Sequence, residues 1–222
     1  MAKAAEEKWN TKGLPMWEGW SGARRGVPVY DTWLDGYKEE LERHRDSVIL
    51  DLGCGTGANT LYLVERGFQV LSADYSREAL ANVRRYIPGS RTEYVDMNRT
   101  FPFRDESFHI IVADISLHYF AESATVSLMG EIRRALKPGG LLLARVSSMN
   151  DTYYGAGSGR EIQTHFYDHG SYAQRYFDEG DVERFFGIIG RCTYMETSMT
   201  RKEAYYSHPK MLYQVKAEKA QD

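Results

Sequence analysis

The order of apolar and polar positions predicts a chain in which short strands alternate with helices. Five apolar runs recur between residues 48 and 146, each about the length of a buried strand. They are Val48–Leu52, Phe68–Ala73, Thr92–Val95, Phe108–Ala113 and Leu141–Val146. Nearly continuous apolar runs are typical of parallel strands that are covered on both faces of a sheet.

Helical periodicity appears between these runs. Ser76 suits a helix N-cap, and the apolar residues after it share one helical face, namely Ala79, Leu80, Val83, Tyr86 and Ile87. A second stripe contains Val126, Met129, Ile132 and Leu136, and the prolyl-glycyl-glycine at 138–140 should end it. Such alternation implies right-handed crossovers, so we expect an α/β fold with a doubly wound, Rossmann-like sheet.

The C-terminal part follows a different pattern. A helix predicted over 182–189 precedes two β-rich runs, at 192–199 and 211–216, and a turn at 207–210 should join them. We expect an antiparallel hairpin on the edge of an otherwise parallel sheet. The predicted organisation is a single domain over 1–222, with an aromatic N-terminal arm (1–36) and a lid-like insertion after the fifth strand (150–178).

Composition narrows the possible partners. A net charge of −3 gives no electrostatic reason to expect nucleic acid or an anionic membrane as a partner. The two cysteines, Cys54 and Cys192, form no metal-ligand spacing, so no metal is expected. The first residues resemble no secretory signal, and no apolar run is long enough to span a membrane. We therefore expect a cytoplasmic location.

A glycine-rich string, Asp51-Leu-Gly-Cys-Gly-Thr-Gly57, lies where the first strand should meet the first helix of the sheet. Glycines there let the backbone turn sharply and let a ligand approach closely. With Ala58 the string also satisfies the permissive dinucleotide pattern, so the glycines alone leave a nicotinamide cofactor possible.

Carboxylates at three strand ends refine the choice of cofactor. Asp51 precedes the first glycine and suits a ligand with an ammonium and a sulfonium better than a pyrophosphate. Asp74, 21 residues beyond Gly53, suits a ribose. Asp96, followed by Met97, could hold an adenine through its amino group and its face.

The run Val48–Leu63 resembles the first motif of class I S-adenosylmethionine-dependent methyltransferases, particularly the tellurite-resistance-type and generic small-molecule enzymes. The segments at 108–120 and 136–143 resemble later motifs of that family, and the predicted C-terminal antiparallel strand also fits it. The resemblance implies S-adenosylmethionine as cofactor. It also implies which residues bind the cofactor, namely Asp51, Gly53, Cys54, Gly55, Gly57, Asp74, Tyr75, Asp96, Met97 and Asp114.

Candidate acceptor residues follow the fourth and fifth strands. His118 and Tyr119 come after the fourth strand, and His165 and Tyr167 lie in the insertion. A histidine there could take a proton from the acceptor, or could simply shape its loop. All four tryptophans fall within the first 33 residues, and seven Phe or Tyr residues lie between 153 and 177. The two segments could form an aromatic lid or merely pack under long loops.

Together these observations predict methyl transfer to a small-molecule acceptor by in-line displacement, achieved mainly through positioning and desolvation. Arg24 and Arg25 could pair with the cofactor carboxylate or with an acidic acceptor. The Asp-Ile-Ser-Leu sequence at 114–117 differs from the motif of enzymes that methylate amino groups in DNA, which argues against that class of acceptor. Two alternatives stay open: a nicotinamide-dependent oxidoreductase of the Rossmann type, and a non-catalytic protein that binds S-adenosylmethionine for regulation.

Overall fold

The computed structural model describes residues 27–199 and 208–221. The strands are β1 Val48–Leu52, β2 Gln69–Asp74, β3 Arg91–Tyr94, β4 Phe108–Asp114, β5 Leu136–Ser147, β6 Arg160–Gln163, β7 Phe166–Asp168, β8 Ala173–Arg175, β9 Arg191–Ser198 and β10 Met211–Glu218. The helices are α1 Lys38–Arg43, α2 Ala58–Glu65, α3 Arg77–Tyr86, α4 Glu122–Ala135 and α5 Glu179–Phe186, with 3-10 turns at Trp33–Tyr37 and Thr152–Tyr154.

Seven strands form the main sheet in the order β3-β2-β1-β4-β5-β10-β9. The first five strands in this order run parallel, whereas β10 is antiparallel to both of its neighbours. The predicted fold class, a mostly parallel doubly wound sheet with an antiparallel C-terminal hairpin, is confirmed. Because β1 to β5 are parallel, their carboxyl ends meet at one edge of the sheet, where α/β proteins bind ligands.

The two faces of the sheet are covered by separate sets of side chains. Ile111 faces a cluster that includes Met129 and Ile132 of α4 and Phe185 of α5. Val112, the next residue of β4, faces a second cluster with Trp33, Leu34, Leu41 and Tyr62. Alternation along one strand therefore serves two cores, which explains why the strands read as continuous apolar runs.

Several boundaries differ from the sequence expectation, and two of them have a clear structural reason. Leu136 is not in α4 but begins β5, and the pairing of β4 with β5 shifts register over the segment that contains the prolyl-glycyl-glycine. Helix α5 starts three residues earlier than predicted because the Asp178 carboxylate accepts the Asp181 amide hydrogen as an N-cap, at 2.8 Å. Most of the predicted turn at 207–210 is described, but Ser207 and residues 200–206 lie outside the described part.

The predicted insertion (150–178) contains the second 3-10 turn and an antiparallel sheet, in the order β6-β7-β8. The Arg175 amide donates to the His118 carbonyl at 2.7 Å, which fixes β8 beside the segment that follows β4. Of the helices in the described ranges, none has both the length and the apolar character needed to cross a membrane.

Candidate active site

The glycine turn between β1 and α2 is the centre of the candidate site. Gly53, Gly55 and Gly57 all have positive φ angles, of 75°, 52° and 92°. A Cβ at Gly53 would lie 2.4 Å from the Ser116 Cβ and 2.8 Å from the Met97 methyl carbon. Glycine is therefore required at 53, both for its backbone angles and because Ser116 and Met97 close in on it.

Asp51 lies beneath this turn and is completely buried. Its Oδ2 accepts a hydrogen bond from the Thr60 hydroxyl at 2.6 Å, while Oδ1 has no partner among the described residues. Burial, together with the nearby charges of Asp114 and Asp74, raises the pKa of Asp51 to about 7 against the lowering effect of Thr60. Asp51 Oδ1 is thus a buried acceptor without a donor in the described ranges, and a cationic ligand could supply the missing hydrogen bond.

Asp74, at the end of β2, ties the next strand to the glycine turn. Its Oδ2 accepts the Gly55 amide hydrogen at 2.9 Å and its Oδ1 accepts the Ser76 amide hydrogen at 2.8 Å. Burial raises the pKa of Asp74, and these amides oppose that rise. Tyr75, beside it, is 43% exposed at the edge of the cleft. The carboxylate can still accept from ribose hydroxyls, because each oxygen has a second lone pair.

The predicted adenine residues lie on the neighbouring strand end. Asp96 accepts the Asn98 amide hydrogen at 3.0 Å and pairs with Arg99 at 3.3 Å. Met97 lies against Gly53, so a residue predicted to contact the adenine lies beside one predicted to contact the methionine part. Cys54 turns away from this group, since its side chain packs with Leu80, Val83 and Ile87. Burial raises the pKa of the Cys54 thiol well above its usual value, so it is not a nucleophile.

Asp114, at the end of β4, is held by a residue that sequence reasoning did not assign to the site. Arg145 of β5 donates from Nε to Asp114 Oδ1 at 2.7 Å and from Nη2 to Oδ2 at 2.8 Å. Its Nη1 donates to Asp31 Oδ2 at 2.8 Å, and its guanidinium lies 4.7 Å from the centre of the Trp33 ring. A charged residue inside the apolar run at 141–146 was the available signal for this buried network.

Trp33 and Asn59 link the segment that contains Asp31 to helix α2 and to Asp114. The Trp33 indole donates to Asn59 Oδ1 at 3.0 Å, and the Asn59 amide donates to Asp114 Oδ2 at 3.4 Å. Asp31 and Trp33 belong to the predicted arm, so the end of the arm nearest the domain docks on the first turn of α2. Trp9, Trp17, Trp20, Arg24 and Arg25 lie outside the described residues.

The residue after Asp114 has a backbone conformation that is unusual for its type. Ile115 has φ 56°, a left-handed value that is costly for a β-branched side chain. Its amide donates to the Arg145 carbonyl at 2.9 Å, and the Ser116 hydroxyl donates to the Leu52 carbonyl at 2.9 Å. These bonds hold the end of β4 against the glycine turn.

Comparison with known proteins agrees with this geometry. A methyltransferase domain family matches residues 49–140, which contain the glycine turn and the strand-end carboxylates. The chain contains a class I methyltransferase domain. This result confirms the family expected from the sequence, and it supports S-adenosylmethionine as the cofactor.

Curated relatives match about half of this chain. The carboxy-S-adenosyl-L-methionine synthase of Hydrogenovibrio crunogenus is 29% identical over 130 residues, which are 54% of this chain and 51% of the relative. The chain spans about half the length of these curated relatives.

Solved structures share the fold over most of the chain. A SAM-dependent methyltransferase of Methanosarcina mazei has a TM-score of 0.65 at 18% identity, over 82% of this chain and 98% of that one. The 1,6-didemethyltoxoflavin-N1-methyltransferase of Burkholderia thailandensis has a TM-score of 0.58 at 21% identity, over 94% of this chain and 82% of that one.

His118, predicted to lie near the acceptor, is buried. Its Nδ1 accepts the Ser147 amide hydrogen at 3.4 Å, and its Nε2 has no partner among the described residues. Burial and the nearby Lys210 ammonium lower the pKa of His118 well below its usual value. With Nδ1 accepting, the proton of the neutral ring is on Nε2. This geometry favours a hydrogen-bond donor over the proton acceptor considered from the sequence.

The other candidate acceptor residues do not all meet His118. Tyr119 packs edge-on against His118, with ring centres 4.4 Å apart. His165 instead faces the start of α5, where its Nδ1 lies 2.7 Å from Asp181 Oδ2. Tyr167 is buried in a small cluster with Ala156 and Tyr176. The structure therefore brings Tyr119 to His118 but places His165 and Tyr167 in contacts of their own.

One group in the described ranges has the side chains to hold a metal ion, formed by His165, Asp178 and Asp181. These residues already form a helix cap and an ion pair.

A second buried pair, which sequence reasoning missed, joins Lys210 Nζ to Asp151 Oδ2 at 2.7 Å. Burial lowers the pKa of Lys210, and Asp151 opposes that change. The pair anchors the start of β10 to the insertion.

Proposed function

We propose that this protein transfers a methyl group from S-adenosylmethionine to a small-molecule acceptor. The observation that carries the proposal is the Gly53–Gly57 turn held between two buried carboxylates, Asp51 and Asp74, at the carboxyl edge of the sheet. The family match over 49–140 supports the same activity. An acidic frame around a glycine turn suits a cationic nucleoside and repels a pyrophosphate.

The residues present fit that cofactor. The close approach of Ser116 and Met97 to Gly53 leaves no room for a side chain there. Asp51 Oδ1 is a buried acceptor that lacks a donor within the described part of the chain. When bound, the sulfonium supplies a methyl carbon that is already activated. Asp74 would orient the ribose, Met97 would pack on the adenine, and the glycine turn would admit the amino-acid part.

Methyl transfer asks little further chemistry of the protein. The chain must align the acceptor with the methyl carbon and exclude water. We expect two segments to face this position: residues 115–119, which include His118, and the insertion, which contacts His118 through the Arg175 amide. His118 can offer an Nε2–H donor, which would orient an acceptor without removing a proton. The molecule that receives the methyl group should therefore carry two features close together. One is an atom that accepts a hydrogen bond, and the other is an unprotonated nucleophilic atom.

The small-molecule character of the acceptor rests on the relatives and on the charge. The Burkholderia thailandensis neighbour was solved with 1,6-didemethyltoxoflavin bound, and the net charge of −3 gives no attraction for nucleic acid. The family match ends at residue 140, before the acceptor-facing insertion begins. The insertion is thus the part of this chain that would choose the acceptor.

The two alternatives make different predictions about ligands. A nicotinamide oxidoreductase should bind NAD more tightly than S-adenosylhomocysteine, and a methyltransferase should do the opposite. The topology favours the methyltransferase, because the antiparallel strand β10 lies between β5 and β9. Titration calorimetry with S-adenosylmethionine, S-adenosylhomocysteine and NAD separates the two classes. Tighter binding of NAD than of either sulfur nucleoside would overturn the proposal.

A purely regulatory protein would bind the cofactor without turning it over. Transfer from methyl-tritiated S-adenosylmethionine to a panel of small phenols, amines, thiols and heterocycles tests this point. We expect at least one acceptor to become labelled in a manner that depends on enzyme. Tight cofactor binding with no transfer to any class in the panel would favour the regulatory alternative.

A further inference from the structure

We propose that Asp31, in the segment before α1, binds the amino-acid ammonium group of the cofactor. This inference rests on the proposed function and adds a binding residue that neither the motif nor the matched family region contains. Asp31 lies ahead of residue 49, where the family match begins. It reaches the site because Arg145 holds it there.

One oxygen of Asp31 is fixed and the other has no donor. Arg145 Nη1 donates to Asp31 Oδ2 at 2.8 Å, and the Asp31 side chain is only 4% exposed. Asp31 Oδ1 is buried without a partner among the described residues. Leaving a buried carboxylate oxygen unpaired costs free energy, so a ligand that donates to it gains the corresponding amount.

The charges around Asp31 favour a cationic ligand. All three nitrogens of the Arg145 guanidinium donate to carboxylates, Nε and Nη2 to Asp114 and Nη1 to Asp31. One guanidinium therefore faces two carboxylates, and the carboxyl of Asp51 lies near enough for the charge of Asp114 to raise its pKa. Two unpaired carboxylate oxygens, on Asp31 and Asp51, accompany this excess of negative charge. An ammonium group supplies both the positive charge and several N–H donors.

The position of Asp31 selects the amino-acid end of the cofactor. Trp33, two residues later, donates to Asn59, and Asn59 lies in the first turn of α2 two residues after Gly57. Asn59 also donates to Asp114 at the end of β4. Asp31 is thus joined to the C-terminal side of the glycine turn, whereas the ribose and adenine residues Asp74 and Met97 lie on the side of β2 and β3.

Two nucleosides separate this contact from the rest of the site. S-adenosylhomocysteine carries the amino-acid ammonium, whereas 5′-methylthioadenosine lacks the amino-acid part and keeps the ribose and adenine. Asp31→Asn preserves an oxygen that can accept from Arg145 but replaces the free oxygen by an N–H donor. Asp35→Asn is the matched control, because Asp35 lies in the same segment and accepts instead from the Tyr62 hydroxyl at 2.5 Å.

We expect Asp31→Asn to weaken S-adenosylhomocysteine about tenfold or more and to change 5′-methylthioadenosine by less than about twofold, as measured by calorimetry. Asp35→Asn should leave both affinities within about twofold of the wild type. Asp31→Ser, whose hydroxyl can also accept from Arg145, should behave like Asp31→Asn and guards against a folding defect specific to the amide.

Other outcomes overturn the assignment. Unchanged affinity for S-adenosylhomocysteine in both Asp31 variants would show that Asp31 does not contact the ammonium. Equal loss of both nucleosides would show that Asp31 supports the whole site and does not bind the amino-acid end. Failure of the wild-type protein to bind either nucleoside would overturn the proposed function itself, and is thereby distinguished from failure of this inference.

Discussion

Arg145 and Asp114 form a bidentate ion pair across neighbouring strands, with Nε to Oδ1 at 2.7 Å and Nη2 to Oδ2 at 2.8 Å. Both side chains are at most 3% exposed. The pair joins the ends of β4 and β5 beside the glycine turn, and Asp31 extends it into the N-terminal segment. Buried pairs of this kind are costly to break, because the remaining partner is left charged in a poorly polar environment.

Removal of the guanidinium should therefore destabilise the fold. We expect Arg145→Leu to lower the free energy of unfolding by about 3–5 kcal/mol, as measured by urea denaturation. Arg43→Leu, at an exposed position of α1, should change it by less than about 0.5 kcal/mol. A loss below about 1 kcal/mol for Arg145→Leu would mean that the two aspartates tolerate the absence of their counter-charge.

Burial of Asp51 should make the stability of the protein depend on pH. The folded pKa of about 7 lies above 3.8, the ordinary value of an aspartate, so the native state holds a proton that the unfolded chain releases. The contribution of Asp51 is complete below the unfolded pKa and is lost as pH rises towards the folded pKa, at about 1.4 kcal/mol per pH unit.

Asp51→Asn removes this titration, and its side-chain oxygen can still accept from Thr60. Relative to the wild type, the variant should gain stability between pH 5 and pH 8, while its affinity for S-adenosylhomocysteine falls. Asp46→Asn, at an exposed position before β1, should show no such trend. Parallel pH profiles for wild type and Asp51→Asn, from urea denaturation, would contradict the raised pKa.

Asp74 should matter for cofactor affinity more than for folding. Asp74→Ala removes the acceptor for the Gly55 and Ser76 amides as well as the predicted partner of two ribose hydroxyls. Hydrogen bonds to charged groups contribute about 1.5–3 kcal/mol each, so S-adenosylhomocysteine should bind at least about tenfold more weakly. Calorimetry tests this, with Glu78→Gln on α3 as an exposed control. A change below about threefold would exclude Asp74 as the ribose ligand.

His118 should not titrate in the physiological range. Its pKa lies well below the usual value, so we expect the neutral Nε2–H form to persist throughout the pH range in which an exposed histidine titrates. Long-range nitrogen–proton NMR spectra report the tautomer directly, and His118→Gln identifies the resonance. A midpoint within that range, or a proton on Nδ1, would restore the general-base hypothesis.

The lid hypothesis concerns the insertion at 150–178, which the structure shows to contain β6, β7 and β8. If this segment closes over bound ligand, S-adenosylhomocysteine should slow amide exchange there, since lids act as gates that exclude water. Strand β9, on the far edge of the main sheet, serves as the internal reference. Exchange in the insertion that is slow without ligand and unaltered by it would mean that the segment is permanent packing.

The amino-acid sequence by itself determined the features that depend on near neighbours in the chain. The apolar runs predicted β1 to β5 because a strand buried on both faces needs apolar residues at consecutive positions. The turn at 53–57 could be recognised because only glycine accepts its backbone angles without cost. Asp74 and Met97 could be predicted to lie near this turn because strand ends in a parallel sheet meet at one edge.

The tertiary structure alone decided which distant side chains meet. Asp31 and Arg145 are 114 positions apart, and their ion pair exists because the segment before α1 folds across the carboxyl ends of β4 and β5. The same topology turned Cys54 towards α3 and His165 towards α5. Local patterns constrain backbone angles and buried faces, but contacts between residues far apart in the chain depend on the order of strands in the sheet. The sequence shows Arg145 only as a charged residue within an apolar strand. The tertiary structure explains its position, because it brings Asp31 and Asp114 to the guanidinium.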